Sequence, residues 1–216
     1  MALNINGTTG ISGVDGSVSA PALTGTDSNT GITFPAADTI KFSTGGVERM
    51  SITNSGVTGT GVGGKFASYA IICDQKSQGT TGGTPPNTTA YNTRDLNTEL
   101  ADADGIVSIS SNQFTLQAGT YLLRASVPAY KPERSQALIY NVTDSSVTGV
   151  GTGEYGPLTY AHTIRSIVVC RTTISGAKVF EVRHRVGNAD ASFGFGVDAN
   201  MGQAEIYTIV EIFKEA

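Results

Sequence analysis

From residue 65 onward the apolar residues of this 216-residue chain fall in strand-length runs cut by turn residues, and nowhere do they repeat at helical spacing over a useful length. A chain patterned in this way buries its apolar side chains by laying short strands into sheets. The text predicts nine strands, over residues 66–74, 91–96, 106–110, 113–117, 120–127, 135–142, 163–173, 178–186 and 203–214. The nearest helical candidate, residues 92–103, is short and mixed. Short strands punctuated so regularly predict an all-β fold, an antiparallel sandwich.

Alternation assigns the faces of these strands. Residues 120–127 set Tyr121, Leu123, Ala125 and Val127 against Leu122, Arg124 and Ser126. Residues 178–186 set Phe180, Val182 and Val186, with His184, against Glu181, Arg183 and Arg185. Each therefore has one wet face. The last strand differs, with Ile206, Val210 and Ile212 on one side and Tyr207, Ile209 and Phe213 on the other. A strand apolar on both sides needs a second partner besides its own core, and in a symmetric assembly that partner is an identical subunit. Tyr207, Ile209 and Phe213 are accordingly expected at a subunit interface.

Residues 1–64 read as a different kind of segment, with Gly or Thr every few positions and hardly any long apolar run. Such a segment cannot close a core alone. Within it, residues 39–43 and 48–53 alternate around Gly45-Gly46, as in a β-hairpin. An isolated hairpin is barely stable in water. Three copies wound together would hide Ile40, Phe42, Met50 and Ile52, which predicts a fibrous, homotrimeric shaft with Phe42 and Met50 in the trimer interface. TGTGVGG, residues 58–64, has four glycines in seven positions and reads as a joint. The expected division is thus an extended or hairpin shaft over residues 1–64 and a sandwich head over residues 65–216.

Charge narrows the partners. Only 15% of residues are charged, against roughly 25% in typical soluble domains. Oligomerisation would cover part of so weakly charged a surface. A net charge of −4 supplies no positive field for a phosphate backbone, so nucleic acid is not an expected partner. No run approaches the roughly 20 apolar residues of a membrane span, and the opening MALNINGTTG lacks the basic start and apolar run of a secretion signal. Synthesis in the cytosol without membrane insertion is expected. Cys73 in YAIIC and Cys170 in SIVVC then read as buried free thiols of a reducing compartment.

Two stretches resemble known families. TGITFPAADTIKFSTGGVERMSITNSGVTGTG, residues 30–61, resembles a segment that recurs in bacteriophage tail-fibre and other virion proteins, where it follows an N-terminal attachment region. QFTLQAGTYLLRASVPAYKPERSQALIYNVTD, residues 113–144, and AEIYTIVEIFKEA, residues 204–216, resemble the strand pattern of tumour-necrosis-factor-type and complement-type globular heads, which are trimeric jelly rolls. Gly119, Tyr121, Tyr207 and Phe213 stand at comparable places, the last strand approaching the threefold axis. The resemblance implies a homotrimeric virion component, assembled in the bacterial cytoplasm and released by lysis, whose N-terminal segment joins other virion proteins.

The side chains that carry chemistry are sparse. His162 and His184 are the available bases for a Ser or Cys nucleophile, and each lies in or beside a strand pattern with no Gly-x-Ser-x-Gly near it. Structural histidines are expected, and no enzyme. The two Cys and two His lack zinc-site spacing. The run Asp102-Ala-Asp104-Gly105 sets oxygen donors at alternate positions as calcium loops do, but lacks the later Glu, so a solvated turn is expected, with no metal and no cofactor. Loops at residues 75–90, 144–160 and 187–201 are expected to share one rim, where Tyr155, Tyr160, Asn188, Asp190, Asp198 and Asn200 would meet a host-surface glycan or protein. The leading expectation is a fibre whose head binds the host surface. The alternatives are a capsid head fibre or decoration protein without a receptor role, and a glycan-degrading tailspike, for which the chain lacks the length and the repeated coils of a β-helix.

Overall fold

The structure, a computed structural model, describes residues 4–6, 10–12, 15–59 and 66–215. Residues 60–64 of the expected joint lie outside the described residues. The chain divides into two compact units, Met1–Lys65 and Phe66–Ala216.

In the first unit, β1 (Asn4–Asn6) pairs with β2 (Gly10–Ser12), and β3 (Gly16–Ser17) with β4 (Ala20–Pro21). A five-stranded antiparallel meander follows: β5 (Leu23–Thr24), β6 (Gly31–Ala36), β7 (Thr39–Thr44), β8 (Val47–Thr53) and β9 (Gly56–Gly59). The expected hairpin is β7–β8, turned by Gly45 and Gly46 at φ of 60° and 73°, which side chains with a Cβ rarely adopt. It is not isolated, because β6 and β9 flank it within the same chain. Phe42 pairs with Met50 and Ile40 with Ile52 across the ladder, and Ile32 lies beside Phe42. This apolar face stays partly open in the single chain: Phe42 and Met50 are half-buried, and Ile40 is 36% exposed.

The second unit is the expected jelly roll, two antiparallel sheets face to face. One sheet runs in the order β12 (Thr98–Ala101), β10 (Phe66–Lys76), β21 (Glu205–Glu215), β15 (Gly119–Tyr130), β19 (Thr163–Ile174). The other runs β13 (Val107–Ser110), β14 (Gln113–Leu116), β20 (Lys178–Val186), β16 (Glu133–Asn141), β17 (Ser146–Val150). Short strands β11 (Asn92–Thr93) and β18 (Glu154–Gly156) add to β20 and β16. The chain crosses between the sheets from β14 to β15 to β16 and from β19 to β20 to β21, which is the jelly-roll order. The last strand thereby lands inside its sheet, between β10 and β15.

The core follows the sequence alternation. Tyr121, Leu123, Ala125 and Val127 of β15 are all fully buried, facing Phe180 and Val182 of β20. Phe114 and Phe180 stack at 5.5 Å between centroids. Each such Leu or Phe contributes about 2 kcal/mol by leaving water. Between β17 and β19 the sheets approach so closely that a Cβ at Gly149 would lie 2.6 Å from Cys170 Sγ. Both cysteines are free, Cys73 buried and Cys170 half-buried.

Some expectations change. The strand predicted over residues 91–96 shrinks to β11, because Arg94 turns inward while its N–H donates to Val182 O at 2.8 Å. Strands β12, β17 and β18 were not predicted; their sequences carry little alternation, and their partners hold them. Ile206 does not join Val210 and Ile212 in the core: it is 39% exposed, where the β10–β21 register slips between Cys73 and Gln75.

Candidate functional site

Strand register brings three loops to one end of the sandwich. Lys76 at the end of β10 pairs with Glu205 at the start of β21, Tyr130 with Thr163, Glu133 with Gly156, and Ser135 with Val186. The segments 77–91, 151–162 and 187–204 therefore emerge together. Asp144 does not join them, since β17 and β18 intervene: it sits in the β16–β17 turn at the opposite end, paired with Lys178 at 2.5 Å. The first and third loops are laced by backbone bonds, Gly82 N–H to Gly196 O at 2.9 Å and Phe195 N–H to Gly83 O at 2.9 Å. Glu205 fastens them further by accepting the N–H groups of Ala199, Asn200 and Gly79, which hold its carboxyl below the usual range.

On the outer face at this end lies a groove of about 610 Å³, within the size range of ligand sites. Its floor follows from register. Arg134 and Gln136 are two residues apart on β16 and so share a face; Arg134 is opposite Tyr155 of β18, and Gln136 is opposite Arg185 of β20. Tyr91 enters from the first loop and donates its hydroxyl to Gln136 Oε1 at 3.0 Å, while Gln136 Nε2 donates to Gly151 O at 3.1 Å. Arg185 Nε donates to Thr88 O at 3.3 Å. Among the described lining residues Glu154 is the one carboxylate.

Beneath the groove lies a buried polar network. Arg94 is fully buried, donating Nη1 to Pro128 O at 3.1 Å and Nη2 to Phe195 O at 2.9 Å, with the Phe195 ring 3.9 Å from its guanidinium carbon. It thus ties the end of β15 to the 187–204 loop. Burial draws its pKa down, and the charges of Asp74 and Asp95 hold it up. Asp74 is itself fully buried with Lys76 Nζ 3.2 Å away; burial raises its pKa against the opposing pull of that lysine.

His184 and Ser135 have the separation of a base and a nucleophile, Nε2 to Oγ 2.7 Å, but not the polarity. The third member is Arg94, a donor, 3.5 Å from Nδ1. Nδ1 therefore keeps its lone pair, Nε2 carries the hydrogen, and the imidazole donates to Ser135 and cannot take its proton. Burial first, and the Arg94 charge second, push the His184 pKa well below 6.5. Asp102, in the calcium-like turn, spends its oxygens on the N–H groups of Ile106 and Val107 at 2.8 and 3.0 Å. Among the described residues no cluster of three or more His, Cys, Asp or Glu is placed to hold a metal.

Of the rim residues read from the sequence, Tyr155 lines the groove and is 67% exposed. Asn188 lies beside it, after the lining Gly187, but gives its amide to Lys131 O at 3.1 Å. Tyr160 is 74% exposed, with its carbonyl bonded to His162 Nδ1 at 2.7 Å. Asp190 caps its own turn through Ser192 N and Phe193 N, and Asn200 accepts from Gln78 Nε2 at 2.9 Å beside Glu205. Asp198 is half-buried in that same loop. Sequence reasoning missed Tyr91, Arg134, Gln136 and Arg185. Only Arg185 left a signal, its place on the wet face of its strand.

The outer face of the β12-β10-β21-β15-β19 sheet carries the residues read as an interface. Tyr69, Phe213 and Leu122 form one row across β10, β21 and β15, and Cys73, Ile209 and Ser126 another, with the Arg124–Glu211 ion pair between them. Ile209 and Phe213 are half-buried, while Tyr69 is 56% and Val169 57% exposed. Tyr207 lies against its own chain instead: it is 4% exposed and donates to Thr80 O at 2.7 Å.

No family model matches the chain, and no curated protein matches it. Similar solved structures include the globular domain of zebrafish complement 1qA protein, with 13% identity, TM-score 0.42, 68% of this chain and 95% of that chain covered. They also include murine APRIL at pH 5.0, with 8% identity, TM-score 0.44 and coverage of 68% and 98%, and at pH 8.0, with 9% identity, TM-score 0.41 and the same coverage. The jelly-roll order of the strands stands independently of these likenesses.

Proposed function

We propose that the chain is a bacteriophage virion structural protein, a homotrimeric fibre whose jelly-roll head binds the host surface while residues 1–64 attach it to other virion proteins. The observation that carries this reading is the groove at the laced end of the sandwich, an exposed and rigidly backed surface with aromatic and charged walls. The resemblance of residues 30–61 to virion segments supports the particle assignment. The half-open apolar outer face of the β10-β21-β15 sheet supports self-association.

The role is adhesion without catalysis. Ser135 has no proton acceptor, and a single lining carboxylate does not supply the pair that glycoside hydrolysis needs. Three weak sites on one trimer gain from multivalency, because each further contact forms at high effective concentration. The test is to label the protein on intact particles by electron microscopy and to ask whether excess purified full-length chain blocks adsorption. Tail-tip labelling with blocked adsorption supports the reading. Shell labelling with undiminished adsorption replaces it with capsid decoration.

A further inference from the structure

We infer that the groove between β16, β18 and β20 is a site for an acidic saccharide, a pyranose carrying a carboxylate, gripped by Arg134 and Arg185 and flanked by Tyr155 and Tyr91. The inference rests on the adhesion reading and names its ligand class.

Elsewhere on the sandwich the exposed or half-buried arginines have partners: Arg124 pairs with Glu211, Arg171 with Glu215 and Arg183 with Glu181, while Arg165 gives Nη1 to Ser126 Oγ and to Tyr207 O. In the groove the pattern breaks. Arg134 is exposed, and among the described residues no carboxylate lies within ion-pair distance of it. Arg185 meets only the Thr88 carbonyl through Nε, leaving both terminal amino groups unclaimed. Arg134 and Arg185 thus both line the groove with guanidinium donors unclaimed, with Glu154 on the lining and the Glu133 carboxylate at its Gly187 edge. Exposed guanidinium donors without partners are free to bind an anion by charge-assisted hydrogen bonds.

The donors and rings of the groove fit a carboxylated sugar. Guanidinium is a planar fork that pairs two N–H donors with the two oxygens of a carboxylate. The ladder places Arg134 beside Tyr155 and Arg185 beside Gln136, so donors and ring faces alternate across the floor. Tyr91 is held in place by its bond to Gln136, so its ring is presented without a further ordering cost. An amphipathic sugar, with C–H faces for the tyrosines and an acid group for the arginines, meets both features. A docked peptide helix calls for an apolar groove, which this polar floor does not offer.

The test titrates the full-length chain with sialyllactose and with trigalacturonic acid as carboxylated probes, lactose as the neutral one, and 3′-sulfolactose as the sulfated one. The expected result is binding of at least one carboxylated probe, about tenfold or more tighter than lactose, and weakened as salt rises. Arg134→Ala and Arg185→Ala should each reduce that affinity about tenfold at unchanged melting temperature, since both side chains are exposed. The inference is overturned if neither carboxylated probe binds at about 10 mM, if 3′-sulfolactose binds tighter than both, or if the double arginine variant binds as well as the parent. Blocked adsorption without sugar binding would remove this ligand class and leave the adhesion reading standing. Sugar binding without blocked adsorption would do the reverse.

Discussion

Arg94, the residue after β11, is the side chain on which the rim depends, because its two terminal amino groups satisfy the Pro128 and Phe195 carbonyls from two separate segments. Arg94→Met removes the donors for Pro128 and Phe195 and leaves buried Asp74 with less compensating charge. The expected loss is about 3 kcal/mol or more, read as a lower denaturation midpoint at unchanged slope. His184 adds a pH dependence. Its folded pKa lies below its unfolded value of 6.5, so the unfolded chain takes up the proton first, and stability present above about pH 6.5 is lost as pH falls. Asp74 works oppositely: its pKa is raised above 3.8, so its contribution is present below that value and lost as pH rises through the folded one. Melting curves between about pH 7.5 and 5 should therefore slope downward with acid, and the slope should flatten in His184→Gln. A flat parent curve would remove the buried, neutral histidine. These roles were not legible in the sequence, where Arg94 lay in a predicted strand and its partners are 34 and 101 residues away.

At the scale of elements, alternation was legible wherever a strand is long and one-sided, as in β15 and β20, whose inward residues were named correctly from the text. It failed for β12, β17 and β18, whose TELA, SVTGV and EYG carry no apolar period. The groove inherits that failure. Tyr155 could be picked as an exposed aromatic, but its neighbours Arg134 and Arg185 become neighbours only through the ladders joining β18, β16 and β20, and no single strand reveals cross-strand register. The closeness of β17 to β19 predicts that Gly149→Ala, with no room for its methyl group beside Cys170, costs about 1–3 kcal/mol by thermal or chemical melting. On the opposite sheet, Ile209→Asp and Val169→Asp place a charge on the outer face while the core face stays apolar. Both should retain the far-ultraviolet spectrum of the sheet and sediment as monomers. A trimer in both variants would move the interface away from this face.

For the whole molecule, the proposed self-association at a half-open sheet face would link stability to mass action. The melting temperature of the full-length chain should rise with protein concentration, and sedimentation should give one species of three chains; a concentration-independent monomer would end the fibre reading. Another consequence lies in the order in which the parts become available. Strand β21 is inserted between β10 and β15, yet it is the last of the three to leave the ribosome. Until residues 205–215 emerge, β10 and β15 each present a bare edge to any chain nearby, so a polypeptide stopped early cannot close its sheet and is open to wrong pairing or degradation. The arrival of residues 205–215 is then the step that turns two open edges into one continuous sheet.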